Sequence, residues 1–72
     1  PDVTIYPNPS KGIFTIKHDN IESITLYNVV GAKIFEANID DREYVISDLE
    51  SGIYFVNIKT NEGSVVKKIV KY

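Results

Sequence analysis

The chain has one imidazole, His18, beside Asp19 and Asn20, and nothing else in it comes closer to a catalytic or metal-binding group. An imidazole next to a carboxylate can act as a general base or a metal ligand. A metal site needs three or four ligands, however, and a solvated turn is the simpler account of a His-Asp-Asn run. Asp40, Asp41 and Glu43 carry the carboxylate oxygens that calcium prefers, but their spacing matches no EF-hand loop, and a solvated acidic turn explains them. No serine sits in a nucleophile elbow, and the four glycines are too dispersed to form a phosphate-cradling loop. Without cysteine there is no disulfide framework, no thiol nucleophile and no cysteine-based zinc site. The residue types therefore argue against catalysis, and no catalytic residue, metal or cofactor is expected.

The elements around these groups must form a small domain. A chain of 72 residues is one domain, expected to be a fragment of a longer protein because it opens on Pro1 and lacks methionine. A domain of this size buries only about 60% of the surface of its unfolded chain, so its core must be compact. The 43% hydrophobic content, with five Tyr and three Phe, is that of a globular chain. A net charge of -2 gives too weak a field to suggest nucleic acid as the partner. No apolar run approaches a transmembrane helix, and no signal-peptide pattern opens the sequence. Charge is nonetheless uneven. Residues 40–50 hold five acids against Arg42, whereas residues 64–72 hold Lys67, Lys68 and Lys71 without an acid. Lysines of that kind either guard an edge strand against aggregation or form a recognisable basic tail.

Apolar residues recur at spacing two along almost the whole chain, which predicts strands rather than helices. Seven strands are expected near residues 3–6, 13–17, 22–29, 33–38, 43–47, 53–60 and 64–71. The breakers between them are Pro7 to Gly12, His18 to Asn20, Gly31, Asn38 to Asp41, Asp48 to Gly52, and Asn61 to Gly63. Several short strands at regular spacing indicate an all-β, antiparallel β-sandwich of immunoglobulin-like type. Phe14, Ile16, Ile24, Leu26, Ile34, Ile46, Tyr54, Val56 and Ile58 are expected to form its core. The inward face of the last strand stays open, because Lys67 and Lys68 are adjacent.

Four stretches carry more specific signals: Tyr6-Pro7-Asn8-Pro9-Ser10-Lys11-Gly12, Ile24-Thr25-Leu26-Tyr27-Asn28-Val29-Val30-Gly31, Leu49-Glu50-Ser51-Gly52-Ile53-Tyr54-Phe55-Val56, and the ending Val66-Lys67-Lys68-Ile69-Val70-Lys71. Each has a structural account. Pro7 and Pro9 stiffen a connection between strands, and Gly12 is free to take positive φ. Gly31 and Gly52 suit positive-φ positions where a side chain would clash. Leu49 and Tyr54 suit packing across a turn, with the Tyr54 hydroxyl bonding backbone as at a tyrosine corner.

Taken together and in this order, the four stretches resemble the C-terminal sorting domain family, type A, of the type IX (Por) secretion system of Bacteroidetes-type bacteria. The resemblance spans residues 3–72. It implies a non-enzymatic targeting domain that follows a cargo of unrelated activity and is read by the outer-membrane translocation machinery. A sortase-like peptidase then commonly removes it, leaving the cargo secreted or at the cell surface. The residues carried over as sorting motif are Pro7, Asn8, Pro9, Gly12, Tyr27, Asn28, Gly31, Leu49, Gly52, Tyr54, Lys67, Lys68 and Lys71. The rival expectation is a non-catalytic immunoglobulin-like module of a secreted enzyme, either adhesive or binding carbohydrate on a tyrosine platform.

Overall fold

A computed structural model describes residues 2–72. Five antiparallel strands make up the fold: β1 (Thr4–Tyr6), β2 (Phe14–Asn28), β3 (Lys33–Ile46), β4 (Gly52–Thr60) and β5 (Gly63–Lys71). The described residues contain no helix. All five strands belong to one hydrogen-bonded sheet ordered β1-β2-β4-β5, with β3 on the other edge of β2.

The expected all-β antiparallel character is present, but seven strands become five. The polar runs 18–20 and 38–41 do not reverse the chain. They lie inside β2 and β3, which pair along their length with register shifts between Lys17 and Ile21 and between Ile21 and Ser23. Turn-prone residues end a strand only where no partner continues the ladder. Here Ile21 pairs with both Asp41 and Thr60, and Ile39 packs against the core.

His18 shows how the irregularity is tolerated. The Asn20 N–H, displaced from the ladder, donates to His18 Nδ1 at 3.0 Å. The imidazole thus satisfies a backbone donor that would otherwise be orphaned at the bulge. The other ring nitrogen, Nε2, lies 3.0 Å from Glu62 Oε1 in the β4–β5 loop. Since Nδ1 accepts, Nε2 carries the proton and donates to that carboxylate. His18 is therefore buried and structural, a correction to the solvated turn.

Along one edge of β2, β1 pairs with Thr15–Lys17 and β4 pairs with Ile21–Asn28, so β2 joins two halves of the sheet. The inner faces of both halves supply one core. Phe14, Ile16 and Ile46 from the first half join Ile24, Leu26, Val56 and Ile58 from the second. Eight of the nine expected core residues are buried, Tyr54 among them, and Ile34 is the exception at 45% exposure. Leu26 pairs with Phe35 and Tyr27 with Lys33, which leaves Ile34 as the extra residue of a bulge. Phe35 packs against the core in its place. Val3, Ile21 and Ile69 complete the core and were not anticipated. In β5, Ile69 is buried and Val65 packs on the core, so this face is the inward one. Lys67 and Lys71 share it by alternation, while Val66, Lys68 and Val70 face outward. Adjacent lysines thus lie on opposite faces and form no single basic patch.

Candidate functional site

The strand register gathers the four motif stretches at one end of the sheet. Asn28 at the end of β2 pairs with Tyr54 near the start of β4, and Tyr54 pairs with Ile69 of β5. Gly52 pairs with Lys71, and Lys71 bridges to Ser10 in the proline loop.

The proline loop closes this end. Asn8 donates from Nδ2 to the Lys68 carbonyl at 2.9 Å and accepts from the Val70 N–H on Oδ1 at 3.1 Å. One side-chain amide thereby imitates a neighbouring strand for one residue pair. Ser10 continues the pairing through its backbone, its N–H donating to the Val70 carbonyl and its carbonyl accepting from the Tyr72 N–H, both at 3.0 Å. Edge groups from Lys68 to Tyr72 are thus satisfied by a segment sixty residues away. Ser10 was not singled out from the sequence, yet it is buried, and its Oγ braces the loop by donating to the Ile13 carbonyl at 2.6 Å. The Gly12 N–H donates back to the same oxygen at 3.1 Å. Gly12 itself takes no positive φ, and a Cβ there meets nothing within 4 Å. Its expected conformational role is thereby withdrawn. Pro7 and Pro9 flank Asn8 on the exposed surface of the loop.

Asn28 organises the β2–β3 hairpin. Its Oδ1 accepts from Val30 N at 3.1 Å and from Ala32 N at 2.9 Å. Its carbonyl accepts from Gly31 N at 3.0 Å, and its own N–H donates to the Ala32 carbonyl at 2.9 Å. This is a three-residue loop with a left-handed residue at its end, and Gly31 supplies it with φ +89°. A Cβ at Gly31 meets nothing within 4 Å, and one at Gly52 (φ +153°) meets only Tyr54 Cε2 at 3.9 Å. Glycine is required there by backbone conformation, not by the crowding expected from the sequence.

The corner before β4 has the expected bond from tyrosine to backbone. Tyr54 Oη donates to the Glu50 carbonyl at 2.6 Å across the turn. Leu49 packs against the core just after Asp48, which adopts φ +62°. Lys67, Lys68 and Lys71 form no ion pair among the described residues, and Lys71 Nζ instead donates to the Tyr72 carbonyl at 3.1 Å.

The opposite end holds a second set of titratable groups. A groove of about 600 Å³ is lined by Lys17, His18, Asp19, Arg42, Glu43 and Glu62 with Asp2 and Thr4. The Tyr6 hydroxyl, then the Glu43 carboxylate 3.5 Å away, hold the Lys17 ammonium above its ordinary value. Both nitrogens of His18 are engaged, so the imidazole has no free position for a metal or a substrate proton. Asp40, Asp41 and Glu43 are exposed on β3, in a strand rather than the expected turn. Among the described residues, no three His, Asp or Glu side chains stand close enough to hold a metal ion.

Residues 4–72 match the family model described as the secretion system C-terminal sorting domain. The chain belongs to this family. Its members are C-terminal sorting signals for type IX secretion, non-catalytic targeting domains that specify export through the outer membrane to the cell surface or beyond. The chain is also 31% identical over 68 residues to ulvan lyase NLR42 of Nonlabens ulvanivorans, covering 88% of this chain and 13% of that enzyme. The match thus covers a small part of a much longer protein, and the lyase activity is that protein's.

Proposed function

We propose that residues 1–72 form a single sorting domain that works as a folded address. The type IX outer-membrane machinery engages it, and a sortase-like peptidase removes it from a preceding cargo at the surface of a Bacteroidetes-type cell. The observation that carries this reading is the Asn8 amide bound to the backbone at Lys68 and Val70. The opening motif and the lysine-rich ending are a single hydrogen-bonded unit, so neither is a free linear peptide. Two halves of one sheet that share a single core support a reduced immunoglobulin-like sandwich. Pro7, Asn8, Pro9, Gly12, Tyr27, Asn28, Gly31, Leu49, Gly52, Tyr54, Lys67, Lys68 and Lys71 are the sorting-motif residues under this reading, most of them building the shape that is recognised.

The test fuses residues 1–72 to the end of an unrelated periplasmic cargo in a bacterium with type IX secretion. The intact fusion is expected at the surface or in the medium, and a fusion lacking residues 66–72 in the periplasm. Replacing Lys67, Lys68 and Lys71 by Gln keeps β5 in place and removes only its charge. A folded triple variant retained in the periplasm shows that the cations are read, whereas a secreted but aggregating one assigns them to edge protection. Normal export of the truncated cargo, its loss of residues verified by mass, overturns the sorting reading.

A further inference from the structure

Most motif side chains are consumed by the fold: Asn8, Asn28 and Tyr54 in hydrogen bonds, Gly31 and Gly52 in backbone geometry, Leu49 in packing. What they leave outward is a row. Tyr27 of β2 pairs with Phe55 of β4, and Phe55 pairs with Lys68 of β5. All three belong to the face opposite the buried Leu26, Val56 and Ile69, because side chains alternate along a strand. Each comes from a different motif stretch, and tertiary pairing alone brings them together. The adjoining outward residues are mixed, apolar at Ile53 (42% exposed) and Val66 (61% exposed) and polar at Thr25 and Asn57.

We infer that this outer face of β2–β4–β5 is the surface by which the domain docks to a protein of the translocation machinery, through an apolar patch carrying a carboxylate opposite Lys68. The inference rests on the sorting reading and names its contact surface. Charge selects the partner. Lys33 is tied to Glu36 at 3.2 Å, while Lys59 and Lys68 have no acidic partner among the described residues. The free charge on this face is positive although the chain as a whole is -2. An aromatic centre with a charged rim is the usual anatomy of a protein interface. A neutral sugar is a poorer occupant because it leaves the Lys68 cation unpaired, although Tyr27 and Asn57 on this face offer its hydroxyls hydrogen-bonding groups. A second copy is poorer too, since a two-fold contact sets the cationic face against itself.

The test compares secretion of the same cargo fusion carrying wild-type sequence, Phe55→Thr with Lys68→Glu, or the control pair Val45→Thr with Arg42→Glu on β3, which lies away from this face. Thermal unfolding of each purified domain establishes that it folds. The face variant is expected to fold yet lower the exported fraction roughly tenfold or more, the loss that removal of an interface anchor produces. The control is expected to export normally. Should the double variant fail to fold, Lys68→Glu alone alters only an exposed charge and is expected to show the same defect. A wild-type fusion that stays inside overturns the sorting reading and the docking face together. A secreted wild type alongside an equally secreted, folded face variant overturns the docking face alone. So does a face variant that loses a polysaccharide ligand, or a dimer seen by light scattering, while export is unchanged.

Discussion

Asn8 and Val70 lie 62 residues apart in sequence and are joined by a 3.1 Å bond from the Val70 N–H to the Asn8 side-chain oxygen. With its amide nitrogen on the Lys68 carbonyl, Asn8 serves as a one-residue strand on the outer edge of β5. The end of the last strand is thereby held from both sides, by β4 and by the proline loop.

Asn8→Ala removes both bonds and is expected to cost about 1–2 kcal/mol, low for two bonds because the site is exposed to competing water. Hydrogen exchange should quicken at the Val70 amide before any other position in β5. Asn8→Asp keeps the acceptor and loses only the donor, so Val70 should stay protected in it. Unchanged exchange in Asn8→Ala refutes the clasp.

Substituting Gly31 by Ala forces a side chain into a left-handed conformation and is expected to lose about 1–2 kcal/mol in urea unfolding. Gly12→Ala should be close to neutral, since its backbone is ordinary and the space around it is open. Equal costs at the two sites contradict a conformational origin.

Tyr54→Phe deletes the 2.6 Å bond to the Glu50 carbonyl and leaves the ring in place. A loss of roughly 0.5–1.5 kcal/mol is expected, with the β3–β4 corner loosened while the core stays packed. A variant as stable as wild type shows that water replaces the hydroxyl at no cost.

Leu26 is fully buried, whereas Ile34 is 45% exposed. Leu26→Ala is expected to cost about 2–5 kcal/mol, enough to unfold a domain whose total stability is about 5 kcal/mol. Ile34→Ala should change the urea midpoint little. A reversed order overturns the face assignment at the β2–β3 bulge.

Period-two alternation was enough to specify strands, the lack of helix among the described residues and eight of the nine core positions proposed from it, because alternation reports which face meets the core wherever a strand is regular. The hairpin at Gly31 and the bond from the Tyr54 hydroxyl to backbone were legible for a similar reason: each is decided within a few residues by local backbone chemistry. Tertiary structure alone decided the rest. His18 to Asn20 and Asn38 to Asp41 stay in strands because partners across the sheet, which no local propensity encodes, complete their ladders. Ile34 left the core because a bulge shifts register by one residue and so reverses a face. The closure of Asn8 on β5, and the row joining Tyr27, Phe55 and Lys68, arise from pairings between segments far apart in the chain. Such pairings depend on which edges remain open once the core has formed, and that is a property of the folded sheet rather than of any stretch of sequence.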